Sequence, residues 1–213
     1  MTHTERVHVY FGLGLILIGV LAAVGERRRG GPAQLISALL VLGIGLALFV
    51  PVEEGTLTYR EVGWLAVLRS IVPNDPGTWL SQWWTHATAP HVIQHKVGGF
   101  LAVLAGVIEV GRARRWWDGT AAGLALPILS VGTGAAFGIH GGTADHLPNP
   151  VEQVHHWLLG GGLALAGVLL GLQRTGKLRH PAWRYAWPVL VILVGLQIAL
   201  FYRLPEASIH LGH

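Results

Sequence analysis

The chain contains no cysteine among its 213 residues, and its single methionine is Met1. The absence of sulfur ligands excludes disulfides, thiolate metal sites, iron–sulfur clusters and covalently attached c-type haem. It also excludes a methionine-lined path for Cu(I), because Cu(I) prefers soft sulfur ligands. Any metal or cofactor bound to this chain must therefore be held by nitrogen or oxygen atoms.

Charged residues are also scarce, at 12% of the chain, whereas hydrophobic residues make up 52%. Soluble domains carry about 25% charged residues, so this composition indicates an integral membrane protein. The apolar residues fall into six runs that are long enough, or nearly so, to cross about 30 Å of hydrocarbon. These runs cover residues 7–25, 34–51, 92–111, 121–139, 156–172 and 185–202. We predict an all-α bundle of six transmembrane helices, built as three helical hairpins in a single domain over 1–213.

Lysine and arginine are concentrated in three short loops, and this bias predicts the orientation in the membrane. The loops after the first, third and fifth spans hold ten of the fifteen basic residues: Arg27, Arg28, Arg29, Arg112, Arg114, Arg115, Arg174, Lys177, Arg179 and Arg184. Short basic loops face the cytoplasm, so both termini are expected to be extracytoplasmic. We predict a multi-pass protein of the cytoplasmic (inner) membrane. Its basic pI reflects this loop bias, so the predicted partner is the lipid bilayer and not a nucleic acid.

A long segment, 53–90, separates the first two predicted hairpins on the extracytoplasmic side. Its stretch TYREVGWLAVLRSIV alternates apolar residues with charges, as an amphipathic helix on a membrane surface does. A tryptophan-rich stretch follows, and tryptophan favours the membrane interface. We predict an interfacial segment that either only caps the bundle or forms a lid over a site.

The histidines are unevenly distributed along the predicted topology. Only His180 of the twelve histidines is expected on the cytoplasmic side. The candidate cofactor ligands are those at the outer ends of spans, namely His8, His95, His140, His155 and His156. His91 and His146 join them as candidate metal ligands, because neutral imidazole is the commonest metal ligand in proteins. His91 shares a helical face with His95, four residues later.

A repeated pattern links three of these histidines to pairs of glycines. In each odd-numbered span, glycines follow the histidine after four and after eleven residues. The three sets are His8–Gly12–Gly19, His95–Gly99–Gly106 and His156–Gly160–Gly167. At about 100° per residue, these offsets place each set along one stripe of its helix. The glycines have two interpretations at this point: close helix packing, or room for a planar macrocycle.

The stretch NPVEQVHHW predicts the start of the fifth helix. Asn149 suits the N-cap, Pro150 the first helical position, and Glu152 the third residue after the cap. Glu152 therefore has a structural role that requires no catalysis.

The stretches VEQVHHWLLG and VIQHKVGGFLAVLAG resemble the helix starts of haem A synthase-type membrane haem proteins. In that family, a histidine at the outer end of a span binds haem, often with glutamate three residues earlier. The resemblance implies haem ligation by His95 and His155. Glu152 fits the spacing before His155, whereas Val92 stands three residues before His95. The repeat instead favours His156. The histidine-rich outer face is also similar in style to membrane copper-resistance proteins.

Three hypotheses follow for function. The favoured one is a b-type haem held by His95 and His156 (or His155), with His8 and His140 as alternates, for electron transfer or cofactor handling at the extracytoplasmic face. Basic residues predicted on that side suit the haem propionates: Arg6, Arg60, Arg69, Lys96 and Arg203. Whether the chain is an oxidoreductase or a subunit of one is open.

The second hypothesis is a copper(II)- or zinc-binding protein of metal homeostasis, with His8, His95 and His156 as a trigonal set. The third is a small structural subunit of a respiratory or cofactor-assembly complex. Transport is not expected, because a translocation path requires ionisable groups near mid-membrane. Glu109 is the only acid within a predicted span, and it lies at the cytoplasmic end of that span.

Overall fold

A computed structural model of the protein describes residues 3–27, 31–49, 77, 80–81, 83–84, 88, 93–117, 119–139 and 150–201. Within these residues the chain forms six long α-helices and no strand, and residues 77, 80–81 and 83–84 are also helical. The helices are α1 (His3–Arg27), α2 (Pro32–Phe49), α3 (Ile93–Ala113), α4 (Thr120–Gly138), α5 (Pro150–Arg174) and α6 (Ala186–Phe201), and a short 3₁₀ turn (Pro181–Tyr185) leads into α6. Helix α5 begins at Pro150, where the capping pattern predicted a start, while Asn149 lies outside the described residues.

All six helices are long and apolar enough to cross a membrane, the sixth when counted together with its 3₁₀ turn as Pro181–Phe201. The prediction of an all-helical protein with six helices that could span a membrane is therefore confirmed for the described residues. Most of the predicted interfacial segment, 53–90, lies outside the described residues.

The six helices form a closed ring in chain order. Each helix packs against the next, and α6 closes the ring on α1. Neighbours run antiparallel, as shown by Gly12 lying on Gly195 while Gly19 lies on Pro188. Helices α1, α3 and α5 consequently all begin at one end of the bundle. We call it the histidine end, because His8, His95, His155 and His156 lie there, and we call the opposite end the arginine end.

The most extensive helix contacts are not those within the predicted hairpins. Helices joined by the short basic loops do pack together, but α2 with α3, α4 with α5, and α6 with α1 share larger interfaces. The three-hairpin prediction thus describes how the helices are connected. The tightest packing joins helices of successive hairpins.

Glycines make close contacts with the partner backbone in each of these three larger interfaces. Gly12 faces Gly195, and Gly160 faces Gly134. Between α2 and α3, Gly99 lies against Phe49 and the carbonyl of Gly45, and Gly45 itself lies against Val103. A Cβ added at Gly12 would lie 2.6 Å from the carbonyl oxygen of Gly195, and one added at Gly99 would lie 3.0 Å from that of Gly45. Such distances leave room for hydrogen only.

The second glycine of each repeat lies on the backbone of the same partner helix. Gly19 meets Pro188, Gly106 meets Leu42, and Gly167 meets Pro127. The glycine stripes therefore serve close helix packing. Their interpretation as room for a planar macrocycle is wrong, because the neighbouring backbone fills each groove.

Apolar side chains fill the bundle inside this ring. Ile18 of α1, Ala166 of α5 and Val191 of α6 form one buried cluster. A second cluster joins Leu159 of α5 with Val194 and Ile198 of α6, and Phe137 of α4 packs against it. These contacts fix the rotation of α5 and α6, and hence the positions of the side chains at the histidine end.

Candidate cofactor site

His155 is the most buried of the described histidines, with 3% of its surface exposed. It lies in the first turns of α5 and faces the end of α6. The side-chain amide nitrogen of Gln197 lies 3.2 Å from Nδ1 of His155 and donates a hydrogen bond to its backbone carbonyl oxygen at 3.0 Å. The Phe201 ring stacks on the imidazole, with ring centroids 3.9 Å apart and 14° between the planes. Two side chains of α6 therefore hold this ring in one orientation.

His156 and His8 lie close to His155. The His155 and His156 rings have centroids 5.7 Å apart and meet edge to face. His8, on α1, lies one turn before Gly12 and therefore near the end of α6. Helix α1 reaches this position because Gly12 packs on Gly195 and Ala199 of α6. The fold thus gathers three imidazoles from two helices around the end of α6.

His95 lies against an aromatic side chain of α4. Its ring centroid is 5.9 Å from that of Phe137. Phe137 also packs against the cluster of Leu159, Val194 and Ile198. Phe137 thus contacts both His95 on α3 and the apolar packing beneath His155.

Lys96, predicted as one partner of haem propionates, forms a hydrogen bond to the backbone of α2. Its side chain is buried, and Nζ donates to the carbonyl oxygen of Leu48 at 3.3 Å. The indole nitrogen of Trp83, from the predicted interfacial segment, donates to the carbonyl oxygen of Phe49 at 3.0 Å. Both bonds satisfy carbonyls at the last turn of α2, which has no following turn to use them. At Trp83 the segment caps the bundle; a role as a lid stays a prediction.

The candidate ligands thus fall into two groups. His8, His155 and His156 come together, and His95 lies beside Phe137, whereas His91, His140 and His146 lie outside the described residues. Among the side chains that the structure does describe, no three histidines or carboxylates are arranged to hold a metal ion. The axial pair His95–His156 and the trigonal set that adds His8 stay predictions.

A buried ionic cluster at the arginine end was not predicted. Both carboxylate oxygens of Glu109 accept from Arg174, at 2.9 and 3.1 Å, and from Arg112, at 2.9 and 3.1 Å. Arg174 also donates to the carbonyl oxygen of Gly123 at 2.7 Å. Beside it, Gln173 donates to Glu26 at 2.9 Å. The sequence identifies Glu109 as the only acid within a predicted span, but it does not identify Arg174, on α5, as its partner.

Comparisons with protein families, with characterised proteins and with solved structures found no match to this chain.

Proposed function

We propose that this membrane protein holds a redox cofactor, b-type haem, by histidine ligation at the histidine end, on the extracytoplasmic face. The gathering of His8, His155 and His156 at one end of the bundle is the observation that carries the proposal. Haem iron takes two axial imidazoles. Our first pair is His95 with His156, with His155, His8 and His140 as alternates. Bound haem would supply one-electron redox chemistry, which suits electron transfer or cofactor handling.

The surroundings of these imidazoles suit the apolar edges of a porphyrin. Phe137 and Phe201 contact His95 and His155, and Leu159 and Ile198 pack close below. Since helix backbone fills the glycine grooves, a haem would be bound at the helix ends, above Gly99 and Gly160, and not between the helices at those glycines. Its ligands would come from the first turns of α3 and α5.

The test is an absorption spectrum of the detergent-purified protein, oxidised and dithionite-reduced, with metal analysis of the same sample. We expect a Soret band that shifts on reduction, with sharp α and β bands. His95→Ala and His156→Ala should each reduce the haem content, whereas His180→Ala, at the arginine end, should retain it. Undiminished haem in the double variant of His95 and His156 would contradict the proposed ligands.

A copper(II) or zinc site is the second candidate. The proximity of the His155 and His156 rings, with His8 at the same end of the bundle, favours it, because imidazole nitrogen suits both ions. In that case the same sample would show no Soret band but near-stoichiometric copper or zinc. A sample that contains neither haem nor metal would favour the third hypothesis, a structural subunit of a respiratory or cofactor-assembly complex. Complexes isolated from native membranes would then be the next sample.

A further inference from the structure

The hydrogen bonds of Gln197 fix the orientation of its side-chain amide. The amide nitrogen lies 3.0 Å from the backbone carbonyl oxygen of His155. A carbonyl oxygen can only accept a hydrogen bond. If the amide were rotated by 180°, its own oxygen would face that carbonyl and the two would repel each other. The nitrogen of Gln197, and not its oxygen, therefore faces His155.

The same nitrogen also lies 3.2 Å from Nδ1 of the His155 ring. An amide NH₂ group has two N–H donors and no acceptor. One N–H therefore donates to the carbonyl oxygen, and the other donates to Nδ1. Nδ1 must then be the unprotonated nitrogen that accepts. In a neutral imidazole the other nitrogen, Nε2, carries the proton. Stacking on Phe201 holds the plane of the imidazole in place, and the contact with Gln197 favours the rotamer that puts Nδ1 toward the amide nitrogen.

We propose that Gln197 locks His155 in the Nε2–H tautomer, which makes His155 a hydrogen-bond donor and leaves His156 as the metal ligand of this pair. Ligation requires a lone pair on nitrogen. The lone pair of Nδ1 is occupied by Gln197, and Nε2 holds the proton. Beside His156, this donor can hydrogen-bond to an acceptor oxygen of the bound group but cannot coordinate its metal. His155 and Gln197 are positioning residues.

Of the two sequence-based assignments, only ligation by His156 fits this tautomer of His155. The family resemblance implied ligation by His155, and the glycine repeat favoured His156. The assignment of His156 as the metal ligand rests on the proposed function. The tautomer itself does not, because it follows from the contacts between α5 and α6.

Nitrogen NMR of the cofactor-free protein, labelled with ¹⁵N-histidine in nanodiscs, tests the tautomer directly. The resonances lost in His155→Phe identify this residue, and we expect an unprotonated Nδ1 and a protonated Nε2. Gln197→Glu replaces the donor with an acceptor and should shift the proton to Nδ1. Gln173→Glu, the same change at the arginine end, should leave the spectrum of His155 unaltered. The proposal would be overturned if Nδ1 of His155 is protonated in the wild-type protein, or if Gln197→Glu leaves the protonated nitrogen unchanged.

Cofactor content in a second pair of variants separates the two proposals. We expect His156→Phe to abolish binding of haem, or of copper(II) added alone, and His155→Phe to retain stoichiometric binding. Equal loss in both variants, with both still folded, would overturn the role of His156 as the ligand of the pair. If the wild-type protein binds neither probe, the proposed function fails with the ligand assignment that rests on it, while the NMR result still decides the tautomer.

Discussion

Glu109 is a charged residue buried in the membrane-spanning part of α3, and its partners explain how the fold tolerates it. An isolated carboxylate is costly to bury. Here two guanidinium groups contact it, and Arg174 does so with two parallel hydrogen bonds, which is the strongest arrangement available to such a pair. The Glu109 side chain is 6% exposed, against 22% for Arg112 and 18% for Arg174. The cluster thus joins α3 to α5, and through Gly123 to α4.

Glu109→Gln should destabilise the protein by about 3 kcal/mol, near the low end for breaking a buried ion pair. The variant keeps the shape of the side chain but leaves two arginines without their counter-charge. Partial exposure of both arginines limits the penalty. Thermal unfolding in detergent measures the effect, and Arg114→Gln, at an exposed neighbour, is the control. An unchanged midpoint in Glu109→Gln would show that the pair contributes nothing to stability.

The surroundings of a single side chain were predictable from the sequence only where they depend on residues close by in the chain. The adjacent pair His155 and His156 was identified, yet nothing in the sequence shows which ring is buried. That distinction arises from Gln197 and Phe201, more than forty residues away, and from the rotation of α6 against α5. The same reason explains Glu109, whose partner Arg174 lies 65 residues further along the chain.

Helix pairing in this bundle depends on small residues and not on loop length. Short loops keep α1 beside α2, and α3 beside α4. The larger interfaces form where a glycine of one helix faces the backbone of its partner, because without a Cβ the two backbones can approach within van der Waals contact. The stripe of glycines marked one face on each odd-numbered helix, which the sequence left open to close packing or to a macrocycle, and the structure shows close packing. It could not predict the partner, since even-numbered helices also offer small residues at several positions.

Two adjacent glycines of α5 give a matched test of this packing. A Cβ at Gly160 would lie 2.7 Å from the nitrogen of Gly138 and 3.0 Å from its Cα, so Gly160→Ala forces two backbones apart. We expect a loss of about 1–3 kcal/mol, as for overpacked cores. Gly161 has nothing within 4 Å of an added Cβ. Gly161→Ala should therefore be neutral, or stabilising by up to about 1 kcal/mol through helix propensity. Equal midpoints of thermal unfolding for the two variants would contradict the packing described above.

The complete ring repeats one unit three times. Each unit pairs an even-numbered helix with an odd-numbered one through glycines that lie on the partner backbone, and each odd-numbered helix carries a histidine one turn before the first glycine of its pattern. Because the units are antiparallel pairs arranged around a ring, equivalent residues lie at equivalent ends. This arrangement explains why imidazoles gather at one end, while arginines of α3 and α5 gather at the other. The spans and the repeat were predictable from periodicity, but closure of α6 on α1 was not, because it is a long-range contact.

The predicted orientation of the six-helix ring in the membrane can be tested on the whole chain by cysteine labelling. Since the chain has no cysteine, single cysteines can be introduced without removing others. Thr88, near the histidine end, and Gly119, in the loop between α3 and α4 at the arginine end, are both exposed. In intact cells a membrane-impermeant maleimide should label Thr88→Cys. It should label Gly119→Cys only after permeabilisation, because basic loops stay in the cytoplasm. The reverse pattern would place the imidazoles on the cytoplasmic face, and any redox partner of the proposed cofactor would then have to be a cytoplasmic one.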